Sequence, residues 1–141
     1  ACEAAVGKRE KMFIFGTDYP TPDGTALRDY IHIEDLARAH LDALAYLRAG
    51  NDSTTLNCGY GHGYSVREVL AAVEKAHGKK LPVEEGPRRA GDPPVLIAAA
   101  DRIRDVLGWT PRFDDLDLIV SSQLAWDHRL IAEPELLDNS R

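Results

Sequence analysis

The feature that most constrains this chain is residues 56–70, LNCGYGHGYSVREVL. An apolar lead-in runs into Gly59, Gly61 and Gly63, and an amphipathic helical pattern follows. Strand, glycine loop and helix, in that order, is how dinucleotide-binding sheets hold a pyrophosphate against a helix N-terminus. The pattern therefore predicts an open strand–helix architecture and raises a nucleotide site as the first functional candidate.

The glycine loop fails the detailed test. The G-x-G-x-x-G fingerprint takes Gly59 and Gly61, but its third position falls on Tyr64, with Gly63 one residue early. The third glycine serves close helix–strand packing, which a tyrosine ring prevents. An acidic ribose partner belongs about 20 residues further on, at a strand end. Lys79 and Lys80 stand there instead. The loop reads as a structural turn into a helix that Ser65 and Glu68 start as a capping box.

The rest of the chain alternates in the same way. Residues 1–7 read as the end of a helix stopped by Gly7, and Met12–Phe15 as a short apolar strand. GTDYPTPDGT is loop, and residues 28–33 alternate with period two, placing Arg28, Tyr30 and His32 on one face. Glu34 and Asp35 open a helix at its positive end, with Leu36, His40, Ala43, Leu44 and Leu47 on one face and Gly50 after it. Residues 54–58 are expected as a strand. Val66, Val69, Leu70, Val73 and Ala76 are expected as the buried face of the next helix, closed by Gly78. A strand over 81–85, a helix within 97–107 stopped at Gly108, and a long helix over 116–130 complete the α/β pattern.

Charge narrows the function. The 141 residues carry a formal net charge of −6 and no basic block, which disfavours duplex nucleic acid and anionic membranes. No apolar run approaches the ~18 residues of a membrane span. Cys2 and Cys58 form no CxxC and have no histidine at ligand spacing, so no metal site is expected and a reducing cytoplasm suits the chain. Two short segments do gather cations. LRDYIH places Arg28 near Tyr30, and GPRRAGDPP sets Arg88 and Arg89 among glycine and proline. Two guanidinium groups from separate segments can bracket a diphosphate, and Asp92 can accept from sugar hydroxyls. Each arginine also suits a solvated surface.

FIFGTDYPTPDGTALRDYIHIEDLARAHLDAL, followed by LNCGYGHGYSVREVL, PRRAGDPP and LGWTPRFD, resembles the C-terminal part of UDP-glucose 4-epimerases, which are extended short-chain dehydrogenase/reductases. The resemblance runs over residues 1–130, with 131–141 as a tail. It implies an α/β fold that is the C-terminal substrate-binding part of such an enzyme, lacking most of the Rossmann domain. It also implies roles. Phe13, Ile14 and Phe15 would line a uridine pocket. Arg28 and Arg89 would grip the diphosphate, with Tyr30 packed near the ribose and Asp92 taking ribose hydroxyls. Leu96 would lie near the sugar, where side-chain size influences tolerance of N-acetylated sugars. Residues 54–57 would be an edge strand of the nucleotide-binding sheet.

That family is an isomerase family using NAD and a Tyr-x-x-x-Lys pair to interconvert UDP-glucose and UDP-galactose through a 4-keto sugar. Here Tyr19, Tyr30, Tyr46, Tyr60 and Tyr64 are followed four residues on by Asp23, Glu34, Gly50, Tyr64 and Glu68, never by lysine. The resemblance thus implies that NAD and the catalytic residues belong to a part outside this sequence. This piece alone is expected to bind a UDP-sugar without catalysis, to self-associate through uncovered faces, and to derive from a homodimeric parent. A UDP-hexosamine or UDP-pentose epimerase, or a non-catalytic nucleotide-sugar-binding module, are the alternatives. His40 is expected buried, His32 structural, His62 exposed, and Trp109 and Trp126 in the core or a domain contact.

Overall fold

The helices form where the sequence caps them. In the computed structural model, which describes residues 1–138, Ser65 accepts from Glu68 N–H at 3.0 Å while Glu68 accepts from Ser65 N–H at 2.6 Å. This closes the capping box that opens α3 (Val66–His77). Asp115 caps α5 (Leu116–Ala132) through Leu118 N–H. Gly78 and Gly108, at φ 77° and 65°, end α3 and α4 (Asp101–Leu107) in the left-handed region that glycine enters without cost. Two further short helices, α1 (Cys2–Ala5) and α6 (Glu135–Asp138), flank the chain.

The cap of α2 (Ile33–Arg48) is His32 rather than an acidic residue. Its Nδ1 accepts from Glu34 N–H at 3.1 Å, which leaves the ring proton on Nε2, facing Ser122 Oγ at 3.0 Å. Ser122 in turn donates to the Ile119 carbonyl. His32 is 5% exposed and stacks on Phe113, so it is structural as expected.

Five short strands make two small sheets. β1 (Met12–Phe15) runs parallel to β4 (Val83–Gly86), with Phe15 opposite Gly86. β2 (Leu27–Arg28) lies between β3 (Tyr64–Ser65), antiparallel, and β5 (Val95–Leu96), parallel, with Arg28 opposite Leu96. Two apolar clusters hold these elements. Ala5, Ala72, Val73, Leu81, Val120 and Leu124 join α1, α3 and α5, whereas Ala39, Tyr60, Ala100, Ile103 and Trp109 join α2 to α4.

Several expectations are corrected. Residues 54–58 form no strand, because neither sheet of the chain offers their backbone a ladder partner. β2 ends at Arg28, with one further ladder bond from Asp29 N–H, rather than reaching residue 33, since His32 must turn to cap α2. The strand expected at 81–85 sits at Val83–Gly86, leaving Leu81 buried in the first cluster. Ala76 is exposed because α3 packs through Ala72 and Val73 instead. His40 is exposed, and Leu44 and Leu47 are about half exposed, because α4 covers only part of the α2 apolar face. Trp109 is fully buried, but Trp126 is 47% exposed on α5. No helix among the described residues is long and apolar enough to cross a membrane.

Candidate functional site

The glycine loop is already occupied, by a carboxylate of the same chain. Asp29 follows β2 directly and accepts from Tyr60 N–H and Gly61 N–H at 3.0 Å each, and from Ala98 N–H at 3.3 Å. A Cβ at Gly59 would lie 2.5 Å from Asp29 Oδ2 and 2.6 Å from Ala98 Cβ. Glycine is needed there so that the loop can reach the carboxylate, not so that a phosphate can reach the loop. The N–H groups that a dinucleotide pyrophosphate would require are taken, and no dinucleotide fits this loop.

The cationic segments lie elsewhere. Arg28 is held at the end of β2 by two contacts: it pairs with Asp92, and it donates to the Leu27 carbonyl at 2.7 Å. Register places Leu96, 60% exposed, beside it on β5. Arg28, Asp29, residues 56–58 and residues 96–98 wall a groove of about 490 Å³. At the other end of the loop joining β4 to β5, Arg89 lies over the Phe15 ring at 3.9 Å, and the Phe13 and Phe15 rings stack at 5.7 Å. Phe13, Phe15 and Arg89, with Lys11 and Arg9, line a second cavity of about 430 Å³.

One loop therefore connects two patches. Asp92 N–H donates to the Arg89 carbonyl at 3.2 Å, closing a turn between the residue that meets Phe15 and the residue that meets Arg28. Arg88 lies over Tyr19 at 4.3 Å and donates to Asp18, whose carboxyl this hydrogen bond holds below the usual range. Ile14 is 1% exposed, so only its backbone can face a ligand.

Tyr30 follows the β2 end two residues after Arg28, near enough for the guanidinium charge to act on its phenol. It lines a cavity with His32 and Ser122, and burial pushes its phenol up while Arg28 pulls it back. The strand expected to carry Arg28, Tyr30 and His32 ends before Tyr30.

Sequence reasoning assigned Asp35 only to the helix dipole. It is in fact the hub of the second cluster: fully buried, it accepts from Tyr60 O–H at 2.8 Å and from the N–H groups of Arg112 and Phe113 at 3.0 and 2.9 Å. Trp109 Nε1–H donates to the Asp35 carbonyl at 3.1 Å. Desolvation, together with this carboxylate, pushes the Tyr60 phenol far above its ordinary range. The partners lie 25 to 78 residues away, so no local signal could have announced them. Among the described residues no cluster of potential metal ligands is present, and both cysteines are unpaired.

The chain is similar to known proteins over most of its length. Residues 2–59 match the model of the NAD dependent epimerase/dehydratase family. A UDP-glucose 4-epimerase of Azospirillum brasilense is 55% identical over 130 residues, which is 92% of this chain and 37% of the relative. The structure of the UDP-Glc/GlcNAc 4-epimerase from Campylobacter jejuni matches with a TM-score of 0.82 at 52% identity, over 91% of this chain and 39% of that one. The UDP-glucose-4-epimerase from Stenotrophomonas maltophila, with bound NAD and formylated UDP-arabinopyranose, matches with a TM-score of 0.86 at 40% identity, over 93% and 39%. The chain thus spans well under half the length of the relatives it matches.

Proposed function

Because this chain belongs to the NAD dependent epimerase/dehydratase family, we propose that it is the nucleotide-sugar-binding, C-terminal part of a UDP-glucose 4-epimerase. The observation that carries this is the loop joining β4 to β5, which brings Arg89 to an aromatic ring and Asp92 to Arg28. A base can lie along the Phe13–Phe15 surface, between backbone groups of Ile14 and the Arg89 guanidinium. Arg28 and Arg89 then bracket the diphosphate. Asp92, which orients Arg28 before binding, is freed to accept from hydroxyls once phosphate takes over the guanidinium. Leu96 borders the sugar.

The chain contributes binding and orientation. It contains no Tyr-x-x-x-Lys pair, and its glycine loop does not fit NAD, so the hydride chemistry of the whole protein lies with residues outside this sequence. We place residues 1–130 in the UDP-sugar-binding region and assign the parent to the cytoplasm as a homodimer. The uncovered apolar positions on α2, Leu41, Leu44 and Leu47, support self-association of this piece when it is alone. Gel filtration giving a stable monomer would count against that part.

Isothermal calorimetry with UDP tests the binding reading. Heat of binding that is lost in both Arg28→Ala and Arg89→Ala is the expected result; a chain that binds no UDP overturns it. A second reading, a UDP-hexosamine 4-epimerase, is favoured by the 60% exposure of Leu96, which leaves the groove wall open to a bulkier sugar. Comparable affinity for UDP-glucose and UDP-N-acetylglucosamine would select it.

A further inference from the structure

We infer that Asp29 is a positioning residue for the sugar end of this site, because its single carboxylate ties together all three chain segments that wall the groove beside Arg28. The inference rests on the nucleotide-sugar reading above. The three walls are Arg28 and Asp29 at the end of β2, residues 56–58 leading into the glycine loop, and residues 96–98 leaving β5. Only the first and third are joined by a strand ladder, through Leu27 and Arg28 against Val95 and Leu96. Asp29 N–H extends that ladder by one bond, to the Leu96 carbonyl at 3.2 Å.

The second wall has no ladder. Residues 51–63 form no strand. They are fastened next to the groove where Asp29 receives Tyr60 N–H on Oδ1 and Gly61 N–H on Oδ2. Oδ2 also receives Ala98 N–H, so the same carboxylate closes the third wall onto the second. Arg104 donates to the Tyr60 carbonyl at 2.9 Å and fixes the far side of the turn.

The loop is shaped to make this contact. Gly59 is buried, and any side chain there would strike Asp29 Oδ2 and Ala98 Cβ. The three backbone donors meet an ionised acceptor, which makes these bonds stronger than neutral ones. An asparagine at 29 keeps the shape but turns an NH₂ group toward one or more backbone N–H groups, so at most part of the clamp survives. The groove would then loosen at residues 56–58 and 96–98, while the Phe15–Arg89 patch on the other sheet keeps its own contacts.

That separation gives the test. Calorimetry of the 141-residue chain with UDP and with UDP-glucose compares wild type, Asp29→Asn and Gly59→Ala. The ratio of UDP-glucose to UDP affinity should fall about tenfold or more in Asp29→Asn, the effect of losing hydrogen bonds to a charged group, with UDP itself changed less than about threefold. A general loss of structure lowers both affinities together and leaves the ratio alone. If Asp29→Asn loses its native circular dichroism, Gly59→Ala decides, since it opens the same clamp from the loop side. An unchanged ratio in a folded variant overturns the inference and leaves the nucleotide-sugar reading standing. A wild-type chain that binds neither ligand overturns that reading and the inference with it.

Discussion

Two aspartates in this molecule meet cationic or polar partners in opposite ways. Asp35 is wholly buried and receives three donors from two distant segments. Asp92 is 30% exposed at its side chain and faces one guanidinium, Arg28, itself 21% exposed. A buried carboxylate surrounded by backbone donors cannot exchange partners without leaving them stranded. A rim carboxylate paired to one arginine can hand that arginine to a phosphate, because water and ligand both compete there. The difference separates residues that build the fold from residues free to bind.

Substitutions can break or sharpen this contrast. The largest effect is expected for Asp35→Ala. It strands the Tyr60 hydroxyl and two backbone N–H groups, and should cost about 3 kcal/mol or more in urea unfolding. Tyr60→Phe removes one donor from the same hub and should cost about 1–2 kcal/mol, with the carboxylate still held by backbone. If both changes are near neutral, Asp35 is no hub.

Ser65→Ala comes next, at about 1 kcal/mol, because it removes the α3 cap. The same serine also donates to Asp23. Burial pushes the Asp23 carboxyl up, but hydrogen bonds from Ser65 and Thr25 outweigh this and hold it below its ordinary 3.8. A carboxyl lowered in the folded state adds stability above its ordinary value, and that stability is lost as pH falls through the folded value. Urea midpoints should therefore decline below about pH 4, and less steeply in Asp23→Asn than in wild type.

The smallest effect on stability is expected at the rim. Arg28→Ala should change the unfolding free energy by less than about 0.5 kcal/mol while removing most UDP binding. Equal damage to stability and binding would place Arg28 with Asp35 rather than with the binding residues. Arg88→Ala should leave UDP binding within about twofold, since its guanidinium is directed to Tyr19 and Asp18.

Much of the fold was legible because its signals are local. The Ser65–Glu68 box, the Gly78 and Gly108 stops, and the apolar run at Met12–Phe15 all formed where the residues put them. The site was legible in part. Register and hydrogen bonding bring Arg28, Asp92 and Leu96 together, and Arg89 meets Phe15; the cationic segments offered Arg28, Arg89 and Asp92, whereas Leu96 and Phe15 came only from the family resemblance. The strand expected over residues 28–33 stopped short because period-two alternation describes a strand only where a partner strand exists. Residues 54–58 failed for the same reason.

By itself the sequence determined the capped helices, the failure of the glycine fingerprint at Tyr64, and the absence of Tyr-x-x-x-Lys, since these depend on neighbours within a few positions. Tertiary structure decided what the glycine loop is for. Its N–H groups close on Asp29, more than thirty residues earlier in the chain. Whether an anion pocket is filled by a ligand or by the protein's own carboxylate depends on which segments fold next to it, and local pattern carries no record of that.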